Sequence, residues 1–393
     1  MAHTERSSHK PRVVRVVTAH YVVPWHLANT LERMPADFET YVVGQGVSRY
    51  RDRYPGVHWI DLELERKAAG LADLKALFAL CRVFRTIRPD IVHSIMPKAG
   101  LLAALAGSLC RAPVRMHTFT GQVWATRRGL ARVLYRMVDR LIVQLDTLCM
   151  TDSPSQSRFL LEQGITASGL PLPVLSCGSL AGVDTGRFHP DAQVRARVRE
   201  ALGIPHDATV FLYLGRLSRD KGILDLAAAF AMLRDEGAHL ILAGPDEEGM
   251  LPEALSRLAA CRDRVHVTGF VQQPEHMFMA ADVFCLPSRR EGFGSVVIEA
   301  AACGIPAIGS RIPGLVDAIE DGVTGMLCPA EDVRALFSCM EAMLHGPQRR
   351  CEMGGQARMR AERLFGADVL YQALRLRYQG QLRDAGVLAE GAR

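Results

Sequence analysis

Apolar runs of strand length alternate with helical stretches along most of this chain, and they do so in two series. Val13 to Thr18, Thr40 to Val43, Ile91 to Ile95, Val114 to Thr118 and Leu148 to Thr151 make up the first, and a second begins at Thr209 to Leu214. Strand-like runs separated by helix-length segments are the pattern of doubly wound parallel sheets with helices on both faces. The turn-rich segment SCGSLAGVDTGRFHPDAQ, 176 to 193, separates the series and reads as a hinge. A length of 393 residues exceeds one ordinary core. The expectation is therefore α/β, with two Rossmann-like domains, 1–187 and 188–393, facing across a cleft. Ligands in such sheets bind beyond the carboxyl ends of the strands. No G-x-G-x-x-G follows the first strand, which counts against a dinucleotide dehydrogenase.

Within the second series, LPSRREGFGSVVIEAAACGIPAIGS (286 to 310) predicts a strand, a glycine-rich turn and a helix of small residues. The N–H groups of that helix's first turn, near Ser295 and Val296, lack intrahelical partners and carry the positive dipole end, which suits a phosphate. Glu291 stands on the loop beside this position and Glu299 one turn into the helix. A carboxylate accepts several hydroxyl hydrogen bonds, so the pair suits a polyhydroxylated ligand such as a sugar nucleotide. Two solvated charges are the alternative reading.

The surroundings of this stretch decide between them. PSRREGFGSVVIEAAACGIPAIGS resembles the E-x7-E signature of family 4 retaining glycosyltransferases, which have the GT-B fold. FLYLGRLSRDKGILDL (211 to 226) resembles that family's strand–GR–KG–helix segment, LILAGPDEEG (240 to 249) its next strand and loop, and VHVTGFVQQPEHMFMAADVFCLPS its base-binding strand. The four segments occur in the family's order. The resemblance implies that Gly215, Arg216 and Lys221 face the donor diphosphate, with Ser295 and Val296 beside them. It further implies that Glu299 binds the ribose, and that Glu291 with the backbone of Gly292, Phe293 and Gly294 holds the transferred sugar. The base would lie by Phe270 and Val271, although Phe270 reads equally well as core. The last helix, about Phe365 to Leu382, would return to the N-terminal domain.

Negative charge develops on the leaving phosphate as the donor bond breaks, and fixed cations with a helix N-terminus stabilise it selectively. No Asp-x-Asp motif is present, so no metal or other cofactor is expected. The family retains anomeric configuration, with the leaving phosphate helping to take the acceptor proton. Relatives often read H-T-x-H-G where this chain has His117, Thr118, Phe119, Thr120 and Gly121. Thr120 thus replaces a histidine by a group that hydrogen-bonds but does not titrate near neutrality. His117 reads either as a sugar-side residue or as a buried, hydrogen-bonded histidine. A second departure is AHYVVPWHLANTL after the first strand, where relatives carry a Gly-Gly turn; His20 there either lines an acceptor pocket or packs the loop.

HSIMPKAGLLAALAG (93 to 107) resembles a segment of members that extend lipid-linked surface polysaccharides. Lys98 in it is either a phosphate or acceptor contact or a solvated helix-start lysine. Arg128, Arg132, Arg136 and Arg140 recur every four residues along one helical face, opposite Leu130, Val133, Leu134, Met137 and Val138. That basic amphipathic helix predicts peripheral contact with anionic lipid through its arginines. A net charge of +5 is modest for this length and argues against a dedicated nucleic-acid binder. The ten cysteines are scattered without a C-x-x-C pair, and MAHTERSSHKPR has no apolar leader core, both as in a cytoplasmic protein. The expected function is transfer of a hexosyl group from a nucleotide-diphosphate sugar to a hydroxyl, on a lipid-linked saccharide. The alternatives are a GT-B sugar-nucleotide epimerase and a non-catalytic sugar-nucleotide-binding partner of a membrane assembly.

Overall fold

The computed structural model describes residues 10–64, 70–166 and 169–388. The stretch before Lys10, with the reading that it holds no leader, lies outside these. The chain divides into two compact units, one comprising Met1–Ser176 with Ala367–Arg393 and the other Cys177–Gly366.

The first unit is built on strands β1 (Arg12–Ala19), β2 (Glu39–Gln45), β3 (Val57–Asp61), β4 (Ile91–Ile95), β5 (Val114–Phe119) and β6 (Leu148–Thr151). They pair in the order β3-β2-β1-β4-β5-β6, and every pair is parallel. All five residues of β4 are buried, as an inner strand covered on both faces requires. Sequence reading missed β3: it is an edge strand whose alternating VHWID, with His58 exposed, lacks an apolar run. Helices α1 (Leu71–Ile87), α2 (Pro97–Leu109) and α3 (Gly129–Leu145) connect β3 to β4, β4 to β5 and β5 to β6, and α4 (Pro154–Glu162) follows β6.

The second unit repeats the plan with β7 (Thr209–Leu214), β8 (Ala238–Ala243), β9 (Val265–Gly269), β10 (Val283–Leu286), β11 (Ala307–Ser310) and β12 (Gly325–Cys328). Its parallel sheet runs β12-β11-β10-β7-β8-β9, the same strand order counted from its own first strand. Helix α5 (Ser295–Ala302) follows β10, and α6 (Pro347–Phe365) is the unit's last helix. The division falls at the start of the turn-rich segment. Residues 177–187 therefore belong with the second unit rather than the first. Their backbone is tied there, since Val183 N–H donates to the Phe365 carbonyl at 2.8 Å, and Val183 is buried in that unit's core.

Helix α7 (Ala367–Asp384) belongs to the first unit. Its Tyr378 is fully buried, shares a 2.6 Å hydrogen bond with His93 Nδ1, accepts one from Arg15 at 3.2 Å and meets the Phe38 ring edge-on. Ion pairs Arg33–Asp368 at 2.6 Å and Arg375–Asp37 at 2.9 Å fix its flanks. Among the described residues no helix is long and apolar enough to cross a membrane.

Candidate active site

The order in which strands are added to the sheet reverses between β7 and β10, and a crevice for ligand opens where loops leaving those parallel neighbours part. The loop after β7 carries Gly215, Arg216 and Lys221, and the loop after β10 carries Ser288 to Gly294. The structure stitches the two together. Arg289 N–H donates to the Asp220 carbonyl at 2.8 Å, and the Arg290 guanidinium lies 3.4 Å from the Asp220 carboxylate. Lys221 Nζ reaches Glu291 Oε1 at 2.5 Å, and Ser288 Oγ, fully buried, donates to the same oxygen at 2.8 Å. Two residues 70 positions apart thus meet at the switch point.

The neighbouring loops supply the walls. Arg216 pairs with Glu247 at 3.2 Å, and its carbonyl accepts from the Tyr213 hydroxyl at 2.5 Å. Glu248 accepts from the Arg219 N–H at 3.0 Å. The loops after β7 and β8 approach so closely that a Cβ on Gly244 would stand 1.9 Å from the Gly215 carbonyl oxygen, so no larger residue fits. Gly314 backs the Gly-Phe-Gly turn in the same way, at φ +86° with a notional Cβ 2.4 Å from the Gly292 carbonyl oxygen. Phe293 points away from the crevice into the core against Phe365, which leaves the backbone of Gly292 to Gly294 to face it.

Helix α5 begins at Ser295 with Gly294 as its N-cap, so the first-turn N–H groups of Ser295 and Val296 lie beside Glu291. Glu299, one turn on, is half-buried. Burial pushes its carboxyl up to about 7; Arg187 draws it down and Glu275 adds to the rise. Arg187 itself holds Glu275 at 2.7 Å. Phe270 is 70% exposed beyond β9, which removes the core alternative for it, and Val271 packs partly buried against the core.

Every sequence-derived donor residue stands at the carboxyl end of the second sheet. The supports Ser288, Asp220, Glu247, Gly244, Arg187 and Glu275 were not read from sequence. Asp220, Ser288 and Glu247 lie inside the matched segments, but only their pairing in three dimensions gives them a part.

The first unit's candidates separate. His20 follows β1, with Arg49 NH1 at 3.3 Å and Tyr21 edge-on; burial and that cation hold its pKa down. Thr120 follows β5, half-buried, and its carbonyl accepts from the Gln122 amide at 2.9 Å. Both stand at the carboxyl end of the sheet. Lys98 is neither solvated nor unpaired. It opens α2 and binds Asp73 at 2.5 Å, which offsets its unfavourable place at a helix N-terminus. His117 is withdrawn from any ligand. It is buried under α2, hydrogen-bonded to Ser94 Oγ at 2.8 Å, and burial lowers its pKa to about 3. The arginine row also needs correction, because Arg132, Arg136 and Arg140 bind the protein rather than facing away from it.

Family models match both units. The model described as "Glycosyl transferase 4-like domain" covers residues 19–172, and "Glycosyl transferases group 1" covers 194–360. A GDP-mannose-dependent alpha-(1-6)-phosphatidylinositol monomannoside mannosyltransferase from Mycolicibacterium smegmatis is 31% identical over 290 residues, 70% of this chain and 72% of its own length. The chain belongs to the family 4 glycosyltransferases. A capsular polysaccharide biosynthesis glycosyltransferase, CapM of Staphylococcus aureus, is 27% identical over 82% of this glycosyltransferase and 85% of its own length. The glycosyltransferase spans about half the length of several D-inositol 3-phosphate glycosyltransferases that it also matches. Among solved structures, Anabaena HepE in complex with UDP superposes with a TM-score of 0.79 at 17% identity, covering 94% of this chain and 100% of that one. That likeness shows the GT-B fold.

Proposed function

We propose that this glycosyltransferase moves a hexosyl group, with retention, from a nucleotide-diphosphate sugar to a hydroxyl of a lipid-linked saccharide in surface polysaccharide synthesis. The observation that carries the proposal is the Lys221–Glu291 pair at the β7/β10 switch point, beside the N-terminus of α5. Arg216 and Lys221 bind the diphosphate, with Gly215, Ser295 and Val296 presenting backbone beside it. Glu291 takes hydroxyls of the sugar, Glu299 takes the ribose, and Phe270 with Val271 lies against the base. Lys221 exchanges partners when the donor enters: sugar hydroxyls donate to Glu291, and the ammonium turns to the phosphate. As the glycosidic bond breaks, the charge growing on the leaving diphosphate meets two cations and a helix dipole already in place. That oxygen accepts the acceptor's proton, so no protein base is required. The same cations answer the donor's charge without a metal.

HepE's bound UDP, CapM's part in capsular polysaccharide synthesis and the mannosyltransferase's use of GDP-mannose support a nucleotide-sugar donor. On the acceptor side, His20 and Thr120 stand at the carboxyl end of the first sheet, while Lys98 orders that end through Asp73. The protein would work peripherally on the cytoplasmic face of the membrane. A panel of UDP-, GDP- and dTDP-sugars tests the donor assignment by thermal shift, since a ligand of the native state raises stability with its concentration. At least one should raise the midpoint, equally with EDTA or Mg²⁺; no shift with any sugar nucleotide, or a shift that needs Mg²⁺, contradicts the assignment.

A further inference from the structure

Helix α3 turns its arginines toward the protein and much of its apolar side outward, while Val138 and Ile142 still pack in the core. Arg132 NH2 donates to Gln163 Oε1 at 3.0 Å, Arg136 to the Gln163 carbonyl, and Arg140 Nε to the Gly164 carbonyl at 2.8 Å. These arginines close the carboxyl end of α4, where free carbonyls and the negative dipole end favour cations. Two of the guanidinium groups also lie over the Trp124 ring, at 5.8 and 5.7 Å. The apolar side faces outward: Leu130 is 88% exposed, Leu134 62%, Met137 59% and Val133 54%, with Leu141 continuing the stripe. Such a contiguous apolar strip on a surface helix marks an interaction site rather than ordinary scatter.

Charge identifies the occupant. Helix α2 packs between α1 and α3, and α1 adds Phe78, 73% exposed, with exposed Lys75, Arg82 and Arg85 around it. Exposed Arg127 and Arg128 lead into α3. The acids of the three helices are Asp73 and Asp139 alone, and both are taken up. Asp73 pairs with Lys98, and Asp139 is buried, accepting from Trp124 Nε1 at 2.6 Å. The three helices are thus apolar and positive with no exposed negative charge of their own left unpaired, and exposed Glu63, before α1, shares a cleft with Lys75 and Arg82 away from α3. A second copy of this chain would set like charge against like, whereas an anionic bilayer meets both properties.

We infer that the outward face of α3 docks on an anionic lipid bilayer through apolar side chains, with exposed Arg127 and Arg128 at its start and the cations of α1, across α2 in the same helical layer, supplying the positive charge. The contact is made by the leucines and methionine, not by the arginine row. It rests on the reading that the acceptor is lipid-linked. The helix begins at the carboxyl end of the sheet, where Thr120 stands, so docking there brings a membrane-borne acceptor to the same end.

Co-sedimentation with phosphatidylcholine vesicles, with or without phosphatidylglycerol, tests the inference on the full chain. The wild type should pellet with phosphatidylglycerol vesicles, and Leu134→Gln with Met137→Gln should lower that partitioning about tenfold or more. The sugar-nucleotide thermal shift should stay intact in that variant. Arg127→Gln with Arg128→Gln should reduce the preference for anionic over neutral vesicles. If the double apolar variant fails to fold, Leu130→Gln alone serves, with a smaller loss expected. Undiminished pelleting of the apolar variants overturns this face while leaving peripheral association standing. Failure of the wild type to bind either vesicle overturns both, with the donor reading judged separately by its thermal shift. A dimer in sedimentation velocity that the apolar substitutions dissolve also overturns it, since a second copy would then cover the face.

Discussion

At the residue scale, the informative groups are the two carboxylates of the donor site, which the fold treats differently. Glu291 is held by Lys221 and Ser288, whereas Glu299 has its carboxyl pushed up to about 7, chiefly by burial. An acceptor of ribose hydroxyls must be ionised to accept fully, so sugar-nucleotide affinity should fall about tenfold from pH 8 to pH 6. Isothermal titration across that range measures it, and Glu299→Gln should flatten the profile while weakening binding throughout. Glu291→Ala should lower the melting midpoint, because Lys221 and the buried Ser288 hydroxyl lose a partner, and lower kcat roughly a hundredfold or more in the protein that remains folded, by loss of the group that positions the sugar and offsets Lys221. Steady-state kinetics on a folded variant check this.

At the element scale, the site is made of loops that touch through backbone. Gly244→Ala would drive a methyl into the Gly215 carbonyl, and relief requires the β7 loop to move. The expected cost is about 2–4 kcal/mol by denaturant titration, with loss of the sugar-nucleotide thermal shift. Much of this region was legible beforehand because β7, β10 and α5 are local patterns: buried apolar runs, a glycine turn and a small-residue helix. The same locality explains what was missed. Arg187 and Glu275 tune Glu299 from 112 and 24 positions away, and no periodicity connects them. The arginine row of α3 was found by its spacing, but spacing defines a face without saying which way it points. That was set by Gln163 and Gly164 at the end of α4, beyond the reach of a helical pattern. For His117, the Ser94 hydroxyl and the covering α2 decided between two readings that a five-residue motif left open.

At the scale of the whole molecule, buried histidines and buried carboxyls should respond to acid in opposite directions, and each unit holds both kinds. His93 and His117 are buried in the first, both with pKa values lowered chiefly by burial, His117 to about 3. The unfolded chain takes up protons at both below about pH 6.5 and the folded unit does not, so these two histidines weaken the sheet around β4 and β5 as pH falls through that value, against the opposite contribution of Asp139 and Asp146, whose carboxyls burial raises to about 7. Glu299 works the other way. Its folded value lies above the unfolded one, so its ionisation costs the second unit stability above about pH 7, and that cost disappears as pH falls toward about 4. Hydrogen exchange resolved by unit, at pH 7.5 and pH 5.5, should show protection falling around β4 and β5 and holding or rising around α5. Tyr378→Phe should destabilise the first unit by about 1–3 kcal/mol, because His93 and the buried Arg15 both lose a partner; chemical denaturation reads this. The position of that tyrosine has a consequence for synthesis. The chain leaves the first unit at Ser176 and returns to it only at Ala367. A ribosome therefore completes all six strands of the second unit before it makes the helix that fills the first. Cys177–Gly366 can close as soon as it emerges, while the earlier sheet must wait for the last helix to bring the Tyr378 hydroxyl to Arg15 and to Nδ1 of His93, whose Nε2 the sheet's own Thr118 already holds.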